Sequence, residues 1–238
     1  MPDKRQHRGP NPKDAIEFSE SMVPRLRNAV ADVSWLLGRG YAPDSTLKLV
    51  GDRYGLTARQ RKAVTRVACD DAAAADRIGR MVAPDEMRGK KIAIDGYNLL
   101  ITVEAALSGG VVLCGRDSTF RDMASMHGNY RSIAETVPAL EIVGRYLEAI
   151  SVSSVRWLLD EPVSNSGKLR KKIEESALLK GWEWTVDLVA DPDSTLVENP
   201  GVIASADSRV LDGGGPWLNL ARLVIEKHVP RARVLYVD

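Results

Sequence analysis

Acidic side chains recur at the carboxyl ends of apolar segments in the second half of this chain. Three segments are followed at once by an acid: Lys91 to Ile94 by Asp95, Val155 to Leu159 by Asp160, and Val202 to Ala206 by Asp207. A fourth segment, Trp184 to Val189, carries Asp187 within it and runs out at Asp191 and Asp193. In a parallel α/β sheet the carboxyl ends of the strands meet at one edge, so we expect Asp95, Asp160 and Asp207 to surround one ion. Close carboxylates repel one another without a cation, so the pattern predicts a Mg²⁺ or Mn²⁺ site that orients phosphate and activates water.

A structural role for these acids is the alternative. Aspartate often ends strands and caps helices, so a single strand-terminal Asp carries little information. Acids on successive strands of one sheet are harder to explain by capping alone, which favours the functional interpretation.

The elements that must position these acids alternate along the second half of the chain. Apolar segments are separated by helical patterns, which we place at Pro138 to Ile150, Gly167 to Lys180 and Trp217 to His228, with a last strand at Arg233 to Val237. Strands alternating with helices are typical of βαβ units and a parallel sheet. The sequence therefore predicts an α/β domain over residues 89–238.

The first third of the chain has helical periodicity and predicts a small helical domain over residues 13–84. The expected helices are Ala15 to Leu37 with a kink at Pro24, Thr46 to Tyr54, and Ala58 to Met81 capped by Thr57. Thr46 to Asp70 has the outline of a helix-turn-helix, although short helical hairpins that bind no DNA share it. Met1 to Pro12 is polar and basic without the apolar core of a signal peptide, so we expect a disordered tail.

Composition excludes several classes of protein. The formal net charge is +1, so bulk charge predicts no partner, but basic residues cluster locally, as a phosphate backbone would require. The two cysteines form no CxxC pair, which argues against a zinc site and a disulfide scaffold and favours a reduced, cytoplasmic setting. No apolar run approaches the roughly 20 residues of a membrane helix, so we expect no membrane segment.

A polar turn after the second acidic strand is a candidate phosphate clamp. Ser164, Asn165 and Ser166 precede Lys168 at the start of a predicted helix, where backbone amides and the helix N-terminus favour an anion. The GxxxxGK spacing of a Walker A loop is missing. A capped helix with a polar turn is the alternative.

The segment Val103 to Pro138 shows little periodicity, apart from a short strand predicted at Val111 to Leu113. Structureless segments of this length in compact domains are often lids or binding loops. Arg116, Arg121 and Arg131 are candidates for phosphate contacts to a nucleic-acid strand. His127 is either a proton shuttle or an ordinary surface side chain.

The run Ile94-Asp95-Gly96-Tyr97-Asn98-Leu99-Leu100 resembles the opening strand of the PIN-like nucleases, especially their NYN branch. Ser205 to Ser208 is similar to a late strand of that superfamily. The resemblance implies a three-layer α/β/α fold with a central parallel sheet and RNA cleavage with Mg²⁺ or Mn²⁺. It assigns metal-holding roles to Asp95, Asp160 and Asp207, makes Asn98 the polar residue that follows the first acid, and offers Asp187 or Asp191 as a fourth ligand. The whole chain also looks like an uncharacterised prokaryotic family that joins a helical N-terminal region to such a module.

Sequence and resemblance together predict a metal-dependent nuclease that acts on RNA, with Asp95, Asp160, Asp207 and Asn98 at its catalytic site. The expected partner is nucleic acid, and a homodimer stays open. Two alternatives remain: a non-catalytic nucleic-acid-binding module on a degenerate PIN-like fold, and a phosphatase or nucleotide-binding regulator.

Overall fold

The computed structural model describes residues 7–124 and 128–237. The strands are β1 Lys91–Asp95, β2 Val111–Cys114, β3 Phe120–Asp122, β4 Ser154–Asp160, β5 Trp184–Val189, β6 Val202–Ala204 and β7 Arg233–Tyr236. The helices are α1 Asp14–Glu17, α2 Val23–Leu37, α3 Pro43–Arg53, α4 Ala58–Val67, α5 Asp71–Gly79, α6 Gly96–Leu107, α7 Thr136–Ala149, α8 Ser166–Lys180, α9 Pro192–Val197, α10 Ser208–Asp212 and α11 Leu220–His228.

The main sheet is parallel throughout, with strand order β5-β4-β1-β6. Ile92 and Ile94 of β1 are buried in one apolar cluster, whereas Ala93 between them is buried in another, so both faces of the sheet are covered. This arrangement explains why the strands are continuous apolar runs. The predicted mixed α/β fold with a parallel sheet is confirmed, and the acids that end its strands lie along one edge.

A second sheet is formed by strands in the order β3-β2-β7. Strand β2 pairs with β3 antiparallel and with β7 parallel. The expectation of a largely structureless segment from Val103 to Pro138 is therefore wrong. Helix α6 fills its beginning, β2 confirms the short strand predicted at Val111 to Leu113, and β3 is a second strand that was not predicted. The sequence does not predict this helix because ten of its residues are buried, so it lacks the alternation of apolar and polar faces by which a helix is recognised.

Two predicted helices of the N-terminal region are divided in the structure. The chain from Ala15 to Leu37 is not one kinked helix: α1 is followed by a short 3₁₀ turn, and Pro24 lies in the first turn of α2, where proline is tolerated. The helix expected to run to Met81 ends at Val67. Asp70 then caps α5 by accepting a hydrogen bond from Ala73 N at 2.9 Å. Thr57 caps α4 as predicted.

The N-terminal helices pack onto the second sheet. Their buried residues, including Leu26 and Val64, share one apolar cluster with Val111, Leu113 and Leu235 of β2 and β7. The helical region and the α/β region therefore contribute to a common core.

Part of the expected N-terminal tail is fixed in place. Arg8 forms an ion pair with Glu104, whose side chain is fully buried in α6. The prediction of disorder is therefore wrong for residues 7–12, while residues 1–6 lie outside the described part of the chain. Within the two described ranges, no helix combines the length and apolarity needed to span a membrane.

Candidate functional site

Asp95 ends β1 and begins the site. The chain turns directly from this strand into α6, and the Asp95 side chain caps that helix by accepting from Asn98 N at 3.4 Å. Gly96 makes the turn feasible: a Cβ there would lie 2.5 Å from Leu159 Cδ2 and 2.9 Å from Leu158 O of the neighbouring strand. The start of α6 is therefore pressed against β4, and Asp95 is held in a fixed position.

The ends of β1 and β6 are joined by side chains. Ser205 Oγ donates to Asp95 Oδ2 at 2.7 Å, and Ala206 N donates to Asn98 Oδ1 at 2.9 Å. Asp207 follows at once, with its backbone N donating to Ser205 Oγ at 3.0 Å. Asn98, a candidate catalytic residue, thus fixes the backbone beside Asp207.

A cavity of about 360 Å³ lies at this edge of the sheet and is lined by Asp95, Asp160 and Asp207, the three acids that the sequence predicts to converge. Asp193 of α9 also lines it, so an acid from each of the four strand ends reaches the same space. We call this space the acidic pocket. A larger cavity of about 600 Å³ lies between α9 and α10, but strand-end acids do not line it.

The fourth acid of the pocket is Asp193 and not Asp187. Asp187 lies in the middle of β5 and pairs with Arg156 of β4 at 2.6 Å, away from the pocket. Asp191, the other candidate, caps α9 by accepting from Ser194 N at 3.1 Å. The sequence shows Asp191 and Asp193 just after β5, but it does not predict the short helix α9, which orients Asp193 towards the pocket.

The carboxylates of the pocket disfavour one another's charge. Burial, opposed by the Ser205 hydrogen bond and reinforced by the charges of Asp193 and Asp207, raises the pKa of Asp95 to about 7. Burial and the charge of Asp207 raise the pKa of Asp193, and burial and the charge of Asp191 raise the pKa of Asp160. The pocket therefore has a negative potential that a cation would relieve.

The remaining lining of the pocket includes Thr65 and Arg66 of α4 and Asp122 of β3. Arg66 contacts the main-chain oxygen of Asp122 and donates to Ala124 O at 2.7 Å. Asp122 in turn accepts from Thr102 Oγ1 at 3.2 Å. The N-terminal helices thus hold the segment that carries a fifth acid of the pocket.

Arg121 is the one predicted phosphate-binding arginine that lines the pocket, and its donors are already in use. Its Nε donates to Ala206 O at 2.8 Å, and it pairs at 2.6 Å with Asp117. Asp117 is fully buried and also pairs with Arg77 of α5 at 2.7 Å. The two guanidiniums hold the pKa of Asp117 at about 2 against the opposing effect of burial. This network ties α5 to the end of β6.

Two family models match the chain. The domain of unknown function DUF5616 matches residues 84–223, which is more than half of the sequence. The chain belongs to the DUF5616 family. Residues 25–80 match the protein of unknown function DUF434. The uncharacterized protein MJ0935 of Methanocaldococcus jannaschii is 30% identical over 186 residues, which cover 78% of this chain and 88% of the relative. No solved structure matches the chain.

The acidic pocket draws residues from both matched regions. Its acids all lie in the DUF5616 region, whereas Thr65 and Arg66 lie in the region that matches DUF434. The pocket as described is therefore complete only when both regions are present.

The polar turn predicted as a phosphate clamp lies outside the pocket of this DUF5616 protein. Ser164 exchanges backbone hydrogen bonds with the 128–130 segment, at 3.0 Å to Gly128 O and 3.2 Å from Tyr130 N. Asn165 Nδ2 donates to Tyr130 O at 3.0 Å, and Ser166 Oγ donates to Glu161 O at 3.2 Å. Lys168 is exposed. The turn anchors a neighbouring loop, and its role in phosphate binding stays a prediction.

The remaining basic candidates, Arg116 and Arg131, do not line the acidic pocket. Arg116 pairs with Asp71 at 2.6 Å and donates to Cys69 O, whereas Arg131 lines a separate cavity beside the N-terminal segment. His127 lies outside the described residues.

The helix-turn-helix outline corresponds to α3 and α4, whose cations are engaged within the protein. Arg59 pairs with Asp14, Arg61 with Asp52, and Lys62 donates to Met123 O and Ala124 O. DNA recognition by this hairpin stays a prediction.

Proposed function

We propose that this protein is a metal-dependent nuclease of the PIN-like, NYN type that hydrolyses phosphodiesters in RNA. The observation that supports it most is the convergence of Asp95, Asp160, Asp193 and Asp207, one from each parallel strand end, on one pocket of about 360 Å³. Asp95, Tyr97 and Asn98 of the Asp-Gly-Tyr-Asn run that prompts the resemblance line that pocket.

The donor set fits Mg²⁺ or Mn²⁺. The carboxylates supply only oxygen, which these hard cations prefer. Burial, reinforced by the charge of Asp207, raises the pKa of Asp95 and of Asp193, so a cation there would favour their charged forms. Among the described residues, no three acidic or other metal-binding side chains are already gathered as a ligand set. Binding would therefore draw the acids together, with Asp95, Asp160, Asp193 and Asp207 as the ligands.

In the proposed reaction, the cation and the residues around it have separate roles. A bound divalent cation supplies a Lewis acid for the phosphate and activates water for attack on phosphorus. Ser205 holds the Asp95 carboxylate in one orientation, and Asn98 fixes the backbone next to Asp207. Arg66 lines the pocket but pairs with Asp122 at 3.4 Å, so the attraction for an anionic substrate would come mainly from the bound cation.

Cleavage assays test the proposal. The purified protein is incubated with labelled single-stranded RNA and DNA and with a phosphomonoester, each with Mn²⁺, Mg²⁺ or a chelator. We expect cleavage of RNA that requires the metal and is lost in Asp95→Asn and Asp207→Asn. Glu161→Gln is the matched control, because Glu161 directly follows Asp160 but is exposed outside the pocket.

The outcomes separate the proposal from its alternatives. Metal-dependent RNA cleavage that survives Asp95→Asn contradicts the assigned site. RNA binding of equal strength with metal and with chelator, without cleavage, indicates a non-catalytic binding module. Turnover of the phosphomonoester but not of RNA indicates a phosphatase.

A further inference from the structure

Tyr97 is the second residue of α6 and lines the acidic pocket. Its side chain is 3% exposed, and its ring packs against that of Tyr130 with 5.2 Å between centroids. The close approach of Gly96 to β4 fixes the start of the helix, so the position of Tyr97 follows directly from that of Asp95.

The Tyr97 hydroxyl is buried and has no hydrogen-bond partner among the described residues. The neighbouring Tyr130 hydroxyl differs: it donates to Glu104 Oε1 at 2.5 Å and lies 3.2 Å from Thr136 Oγ1. Leaving a buried hydroxyl without a partner is unfavourable, so a ligand that fills the pocket lined by Tyr97 would gain by accepting a hydrogen bond from this hydroxyl. Of two adjacent buried tyrosines, only the one that lines the pocket has this need.

The chemistry of the hydroxyl restricts the ligand. A tyrosine hydroxyl can donate one hydrogen bond, and the strongest acceptors for it are charged oxygens. Four carboxylates of the pocket are the proposed ligands of the cation, and the fifth, Asp122, already accepts hydrogen bonds from Thr102 Oγ1 and Ala124 N. The oxygen that remains for Tyr97 is then one that enters with the substrate.

We propose that the Tyr97 hydroxyl donates a hydrogen bond to a phosphate oxygen of single-stranded RNA bound in the acidic pocket, which makes Tyr97 a substrate-binding residue. This inference rests on the proposed function, since it takes the substrate to be a phosphodiester.

Tyr97→Phe tests the inference, because it removes the hydroxyl and keeps the ring. Without RNA, we expect a urea midpoint equal to or above that of the wild type, since no protein hydrogen bond is lost. With RNA, we expect the Kd and the KM to rise about 10- to 100-fold, the loss of one hydrogen bond to a charged group. Binding is measured by fluorescence anisotropy of a labelled RNA in Mn²⁺ and in chelator.

Tyr130→Phe is the matched control with the opposite pattern. It removes a hydroxyl that Glu104 already accepts from, so we expect a lower urea midpoint without RNA and an unchanged Kd for RNA. Both variants keep a phenyl ring in the same buried pair.

Two results would overturn the role of Tyr97. A Kd and KM equal to those of the wild type would show that the hydroxyl does not touch RNA. A lower urea midpoint for Tyr97→Phe without RNA would show that a protein group already satisfies it. Failure of the proposed function looks different: the wild type then binds RNA without cleaving it, and the ratio of the two Kd values still decides the role of Tyr97. A wild type that binds no RNA removes both proposals.

Discussion

Ser205 donates a hydrogen bond to Asp95 across 110 residues of sequence, with 2.7 Å between Ser205 Oγ and Asp95 Oδ2. The same hydroxyl accepts from the backbone N of Asp207. One small side chain at the end of β6 therefore orients the carboxylate at the end of β1 and fixes the main chain of the next acid.

Ser205→Ala should reduce cation affinity in a pH-dependent way. The Ser205 hydrogen bond lowers the pKa of Asp95, so its loss raises that pKa further above 7 and leaves more of the carboxyl protonated at neutral pH. We expect Mn²⁺ binding at pH 7 to weaken by about tenfold, the cost of one hydrogen bond, and to recover partly at pH 9. Titration calorimetry at both pH values measures this.

Ser153→Ala is the control for that experiment. Ser153 also donates through its hydroxyl, at 2.9 Å to Lys90 O, but it lies at the opposite end of the sheet and is exposed. Equal losses in the two variants would indicate that the effect is general destabilisation.

Asp95→Asn should stabilise the metal-free protein at neutral pH. The folded state raises the pKa of Asp95 from 3.8 to about 7, so it binds the proton more tightly than the unfolded chain does. Stability of the wild type therefore decreases as the pH rises through this window. The amide cannot ionise, so the variant should gain up to about 4 kcal/mol at pH 8, at 1.36 kcal/mol per pKa unit.

Urea unfolding between pH 4 and pH 8 checks that expectation, and Mn²⁺ should restore stability to the wild type alone. Asp187→Asn is the comparison, because its half-exposed pair with Arg156 is expected to contribute about 0–1 kcal/mol. If the stability of Asp95→Asn depended on pH in the same way as that of the wild type, the raised pKa of Asp95 would be contradicted.

Asp117→Asn should destabilise the fold strongly. Asp117 is fully buried between Arg77 and Arg121, and its removal as an anion leaves the buried Arg121 guanidinium without a carboxylate and Arg77 with only the half-exposed Asp212. We expect a loss of about 3–5 kcal/mol in the free energy of unfolding at pH 7. Because its folded pKa is lowered to about 2, the wild-type advantage is present above the unfolded pKa near 3.8 and is lost as the pH falls towards 2.

Asp212→Asn provides the contrast for Asp117. It also pairs with Arg77, at 2.7 Å, but its side chain is 54% exposed. Its substitution should change stability by less than about 1 kcal/mol. Similar losses in the two variants would mean that burial does not set the strength of this network.

Gly96→Ala should damage both stability and activity. The added Cβ would lie 2.9 Å from a backbone oxygen of β4, which cannot move as a side chain can, so α6 must shift. We expect a loss of about 1–3 kcal/mol and a fall in RNA cleavage, because Asp95 and Tyr97 flank this residue. Gly167→Ala in α8 meets no atom within 4 Å and should be neutral or stabilising by up to about 1 kcal/mol. Wild-type activity in Gly96→Ala would show that the close approach to β4 does not position the site.

The sequence predicts the main sheet because each of its strands is an apolar run that stops at or near an acid. The positions of Asp95, Asp160 and Asp207 follow from that pattern, since parallel strands share an edge. Asp193 could not be placed in the same way. Its direction is set by α9, a helix of six residues whose start at Asp191 and Pro192 is a local turn signal without a long-range counterpart.

Residues that depend on tertiary packing escaped prediction for a physical reason. Arg66 lies on the basic side of α4, which the sequence alone predicts to face solvent. Its contact with Asp122 joins residues 56 positions apart and could not be foreseen. The orphan hydroxyl of Tyr97 is visible only when its surroundings are known, because a tyrosine in an apolar run gives no indication of whether its oxygen is satisfied.

The core shared by the N-terminal helices and β7 has a consequence for synthesis of the chain. Leu235 and Val237 cover the same cluster that buries Leu26 and Val64. At about 5–20 residues per second, roughly 10–30 s pass between translation of Val64 and of Leu235. During that interval the nascent helices expose the apolar surface that β7 covers in the folded protein. We therefore expect ribosome-associated chaperones to bind the growing polypeptide until β7 emerges.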